Sequence, residues 1–161
     1  MTFIQDQLET IVKHLDQLDA DSKPLWGTMT PQKMIEHLTD SVFTSTGKVV
    51  VECPYSGEKL ERSRTFLLSE QPMPRNFKAH FVNDLSALRN ESFELAVDEF
   101  VEAWVDFEEY CELNPEKVNT HPVFGALNIG EWRWMHRKHL THHFEQFGIE
   151  ISEPNESHDL L

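Results

Sequence analysis

Four of the nine histidines, His136, His139, His142 and His143, crowd into the segment MHRKHLTHHFEQFG. Neutral imidazole is the commonest side-chain ligand for transition metals, and it titrates near neutral pH. On a helix, residues four apart lie one turn apart on the same face. His139 and His143 therefore make a pair that can grip one ion. His136 and His139, three apart, also share a face, and the spacing leaves that pairing open. His142 lies about 100° round from His143, which turns it toward solvent.

Two imidazoles hold an ion poorly, so a third ligand must come from another element. His37, in MIEHLTD, sits at the border of an apolar helix face and is the candidate. Three neutral imidazoles leave at least one coordination position open, the pattern of a reactive metal rather than a closed structural one. Zinc, nickel and iron(II) all suit imidazole, and the ligand set does not choose among them. Ligand histidines need outer acceptors that fix their tautomers. Asp40, one turn after His37, and Gln146, one turn after His143, are placed for that role. Glu36, Asp40 and Glu145 are eligible as general bases by chain position, with nothing to rank them, so no catalytic residue is assigned. The plainer reading is a histidine-rich helix end, its positive charge favoured by the helix dipole. His14, His80, His121 and His158 read as hydrogen-bonded core residues or as exposed ones.

The elements that must position these rings read as helices. Ile4, Leu8, Ile11, Leu15 and Leu18 alternate steps of four and three, the stripe of a bundle helix over about residues 2–19. Thr30 and Pro31 are suited to cap and start a second helix, which Gly47 ends. A third runs from about Ser92 to Leu113, with Phe93, Val97, Phe100, Trp104, Phe107 and Cys111 on its stripe and Asn114-Pro115 as its stop. Asn128 and Glu131 form a capping box for the fourth, which ends at Gly148. The expectation is an all-α four-helix bundle in one domain over 1–151, with a polar tail at 152–161. The connection between the second and third long helices is long and partly irregular. Val49–Val51 suggest a short extended piece, and short helices are expected near 58–68 and 78–88, because a structureless connection of that length is uncommon.

Composition narrows the function. Fourteen basic and twenty-eight acidic residues give a formal charge of −14. Such a field repels phosphate backbones and anionic membranes, so neither nucleic acid nor a membrane is an expected partner. The first residues lack the basic start and apolar core of a signal peptide, which points to the cytoplasm. Cys53 and Cys111 fit no zinc or redox spacing and read as reduced thiols. Trp26, Trp132 and Trp134 could line a pocket or a homodimer seam.

Two segments carry a family likeness. WGTMTPQKMIEHL, residues 26–38, resembles the stretch that supplies the first histidine in the DinB/YfiT-like superfamily of metal-binding four-helix bundles. HPVFGALNIGEWRWMHRKHLTHHFEQFG, residues 121–148, resembles the last helix of that superfamily, and more closely a branch in which a His-Pro-x-Phe-Gly turn leads to a helix ending His-His-x-x-Gln-Phe-Gly. Carried over position by position, the metal triad of the superfamily falls on His37, His139 and His143. Residue 145 is Glu where many relatives have Gly, which puts the pocket shape, not the metal, in question. Several relatives use the metal to present a low-molecular-weight thiol to an electrophile. The resemblance thus implies a small-molecule substrate and a thiol S-transferase or hydrolase. A non-catalytic metal- or small-molecule-binding protein is the alternative.

Overall fold

The computed structural model describes residues 2–75 and 87–152. It contains five helices and a small sheet: α1 (Leu8–Leu15), α2 (Pro31–Ser45), α3 (Gly57–Leu68), α4 (Phe93–Leu113), β1 (Val118–His121), β2 (Gly125–Asn128) and α5 (Ile129–Gln146). The expected all-α four-helix bundle is therefore corrected by a fifth helix and by an antiparallel β1–β2 hairpin.

The hairpin pairs Val118 with Asn128 and His121 with Gly125 around a three-residue loop. Gly125 has φ +72°, a conformation that costs glycine little and that closes such loops. Strands this short carry too few alternating positions to stand out in a sequence. The hairpin also caps a helix. Asn119 Nδ2 donates to the Ser45 carbonyl at 3.0 Å, satisfying a backbone oxygen at the end of α2.

The first helix is shorter than its stripe. Residues 2–7 are not helical, although Ile4 is 1 % exposed and belongs to the core. The cause lies in α5. Thr141 Oγ1 accepts from the Ile4 N–H at 2.9 Å, and Arg137 donates to the Ile4 carbonyl at 2.9 Å. The Arg137 bond claims the Ile4 carbonyl, which a helix from residue 2 would have offered to the Leu8 N–H.

α3 has one fully buried residue, Leu67. It is held by polar ties at its C-terminal carbonyls. Trp134 Nε1 donates to the Leu67 carbonyl at 2.6 Å, and Lys138 Nζ donates to those of Phe66, Leu67 and Ser69. Val49–Val51 is loop rather than strand. The short helix expected near 78–88 falls largely outside the described residues, as does most of the tail at 152–161.

The main core joins Ile11 and Leu15 of α1, Met34, Ile35 and Val42 of α2, Phe100, Trp104 and Phe107 of α4, and Leu140 and Phe144 of α5. A second cluster, with Leu67, Phe124, Leu127 and Trp132, packs α3 and the hairpin against the other side of α5. α5 is thus gripped on two faces, which fixes its rotation. Among the described residues no helix is long and apolar enough to cross a membrane.

Candidate metal centre

Thr30 Oγ1 accepts from the Lys33 N–H at 3.2 Å, and Pro31 occupies the first helical position, so α2 starts at a defined residue. His37 follows two turns later. α5 starts as firmly: Asn128 Oδ1 accepts from Glu131 N–H at 2.9 Å and Glu131 Oε1 accepts from Asn128 N–H at 3.2 Å. The second Glu131 oxygen binds Arg64 of α3 at 2.6 Å. Trp132 Nε1 adds a bond to the Asn119 carbonyl at 3.1 Å.

These restraints bring three rings together. His37 Nε2 lies 2.8 Å from His139 Nε2, which lies 3.2 Å from His143 Nε2. The three ligand atoms all fall within 4.8 Å of one another. Two imidazole nitrogens on one tetrahedral zinc would stand roughly 3.3 Å apart, given bond lengths of about 2.0–2.1 Å. The rings meet edge-on, at 89° for His37 and His139, 77° for His37 and His143, and 64° for His139 and His143. His143 is buried, while His37 and His139 are half-buried.

The protonation states suit a cation. His143 Nδ1 donates to Gln146 Oε1 at 2.8 Å, so its Nε2 keeps a lone pair toward the other two rings. Gln146 is held in turn by donating from Nε2 to the Trp26 carbonyl at 3.2 Å. A Cβ on Gly27 would meet that Nε2 at 3.1 Å, and Gly27 has φ +73°, so glycine is needed where the chain passes the amide. Burial, and then the neighbouring imidazoles, drive the pKa values of His139 and His143 well below the ordinary histidine value. Both rings are neutral at physiological pH, the state that coordinates. His139 Nδ1 is buried with no hydrogen-bond partner. Three inward nitrogens, two neutral rings and one fixed tautomer fit an imidazole-bound divalent ion. Among the described residues, this is the group of histidine, cysteine or acidic side chains able to hold one.

The remaining candidates separate. His136 stands apart, 2 % exposed in a box of Trp104, Phe107 and Trp132. Burial drives its pKa down to about 3. His142 is half-buried rather than open to solvent. Its ring donates to the Met73 carbonyl, meets Trp26 edge-on at 5.7 Å, and lies 4.9 Å from the His143 ring. Asp40 is exposed and ion-paired with Arg89 at 2.9 Å. Burial raises its pKa and Arg89 opposes the rise.

Of the eligible bases, Glu36 is committed to structure. Its carboxylate accepts from the backbone N–H groups of Arg89 and Asn90 and from the Gln32 amide. Burial raises its pKa, but those donors outweigh it and leave the value lowered. Glu145 lines a hollow beside the centre, its pKa raised by burial against the pull of Arg75. Sequence reasoning did not find this hollow, whose wall includes Arg75 and Lys138, because it joins a loop to a helix far away in the chain.

Fold and site together define a helical protein with a three-histidine cluster, shared between two helices, that could hold a metal ion. Residues 71–149 match a family described as a protein of unknown function (DUF1569). The matched span contains α4, the hairpin and α5 with His139, His143 and Gln146, and excludes α2 with His37. No curated protein and no solved structure matches the chain.

Proposed function

We propose that this protein binds one divalent metal ion through Nε2 of His37, His139 and His143 and uses it to act on a small electrophile. The observation that carries the proposal is the convergence of three imidazole nitrogens, the His143 tautomer being fixed from behind by Gln146. Zinc, nickel and iron(II) are the candidate ions. A divalent cation held there would lower the pKa of a thiol or water bound to it, supplying a nucleophile at neutral pH.

The chain's own residues do the rest. Three protein ligands leave room for a fourth. Burial keeps His139 and His143 unprotonated and ready to coordinate. The likeness of residues 26–38 and 121–148 to DinB/YfiT-like proteins supports a thiol S-transferase or hydrolase.

The test is elemental analysis of protein purified without a nickel column. The parent is expected to carry about one equivalent of divalent metal, and His37→Ala and His143→Ala to lose most of it, because two imidazoles hold the ion poorly. His142→Ala is expected to keep the parent content. If His37→Ala and His143→Ala both stay folded and retain the parent's metal, the centre is misassigned. Turnover of an electrophile only when thiol is added separates transferase from hydrolase.

A further inference from the structure

Arg75 and Lys138 put two positive charges on the wall of a hollow of about 330 Å³ beside the histidine centre. That volume is within the range of small-molecule sites. Phe3, Trp26 and Met73 give it an apolar side, and among the described residues Glu145 is its one carboxylate. The Lys138 side chain is 0 % exposed, and its ammonium donates at 3.0, 3.2 and 3.1 Å to three carbonyls, all neutral. The Arg75 guanidinium lies 4.1 Å over the centre of the Trp26 ring. Stacking occupies a face of the guanidinium and leaves its in-plane N–H donors for a ligand. Among the described residues neither cation is ion-paired, whereas Arg64, Arg89 and Arg133 each hold a carboxylate.

Among the described residues, two cations against one carboxylate leave the wall one positive charge in excess, on a chain whose formal charge is −14. Lys138 spends its three donors on carbonyls, whereas the exposed Arg75 keeps its fork toward the hollow, where an anion of unit charge would balance the wall. We propose that the hollow binds a small monoanion, a carboxylate carried on a flat apolar body. The carboxylate meets the Arg75 fork, and the apolar body lies along Trp26 and Phe3. Phosphate esters, with more charge than the wall can neutralise, fit less well. The site uses no residue of the triad, so it goes beyond the metal reading and stands or falls apart from it.

The full chain is titrated at low ionic strength with benzoate, benzamide and phenyl phosphate, followed by calorimetry, with metal content measured on the same samples. Benzoate is expected to saturate one site at least about tenfold more tightly than either other probe. Arg75→Gln, on a loop, is expected to weaken benzoate about tenfold while metal content and Tm stay at parent values. Equal binding of benzamide, tighter binding of phenyl phosphate, no saturable binding of benzoate, or an unaltered Arg75→Gln variant each overturns the proposal. A parent that binds benzoate but carries no metal overturns the metal reading alone.

Discussion

Replacing Gln146 with Met tests how the centre is held from behind. The substitution keeps length and apolar bulk but deletes the oxygen that accepts from His143 Nδ1 at 2.8 Å and the amide that donates to the Trp26 carbonyl at 3.2 Å. The cost falls mainly on the metal-bound state. Without metal, the His143 proton can move to Nε2 and point at His139 Nε2, 3.2 Å away. Coordination through Nε2 forces the proton back to Nδ1, which would then be a buried donor with no acceptor. An unmet buried donor costs about 1–3 kcal/mol. Loss of a ligand's outer hydrogen bond typically weakens a metal site about 10–100-fold, or about 1.4–2.7 kcal/mol. The two figures overlap, so Gln146→Met is expected to raise the zinc Kd about 10–100-fold. Competition against a chromophoric chelator at pH 7.5 measures it, with the Tm of metal-free protein as a folding control. A Kd within about twofold of the parent, in a variant whose metal-free Tm is unchanged, would refute the tautomer argument.

Two further predictions concern stability in the metal-free protein. His136 sits neutral in an aromatic box with Nε2 unpartnered, and burial drives its pKa to about 3. The unfolded chain takes up a proton near pH 6.5 and the folded one does not, so stability is whole above that pH. It then falls by up to about 1.4 kcal/mol per pH unit as pH drops toward 3. His136→Phe is expected to match or exceed the parent at pH 7.5 and to lose less stability by pH 5, as read by urea melts at both pH values. Equal pH slopes in the two proteins would show that His136 is not the sensor. Asn128→Ala removes the side chain that caps α5 at 2.9 Å. A loss of about 1 kcal/mol and a Tm drop of about 2–4 °C are expected, and calorimetry showing no drop would mean that the Arg64–Glu131 bridge holds the helix start unaided.

Stripes and caps made the four longest expected helices readable, and their limits show what a stripe cannot report. Thr30-Pro31 and Asn128 with Glu131 mark the starts of α2 and α5, because capping is local chemistry within four residues. The α4 stripe is buried at Phe93, Phe100, Trp104, Phe107 and Cys111. Ile4 belongs to the α1 stripe and to the core but not to the helix, since apolar spacing reports burial and not where backbone groups find partners. Thr141 and Arg137, more than a hundred residues away, decide that. The hairpin was hidden for a related reason. Four-residue strands have no period to measure, and the His-Pro-x-Phe-Gly turn carries no alternation on either side to mark them.

The candidate site divides along the same line. The His139–His143 pair is local and could be read from spacing. Local spacing admitted His136 as an alternative, and what separates them is the direction in which α5 turns each ring. His136 points into the aromatic box, while His139 and His143 point at α2. Gln146 and Asp40 occupied equivalent places in the sequence, each one turn beyond a ligand. Gln146 is pinned by the Trp26 carbonyl and faces His143, whereas an exposed Asp40 pairs with Arg89. A residue at the right spacing therefore accepts from a ligand ring only when its other contact turns it toward that ring. For Gln146 that contact is a backbone carbonyl from the loop before α2. The loop that sets the His143 tautomer also carries Trp26 into the wall of the cationic hollow. Trp26 thus serves both places, its carbonyl holding Gln146 and its ring lining the hollow.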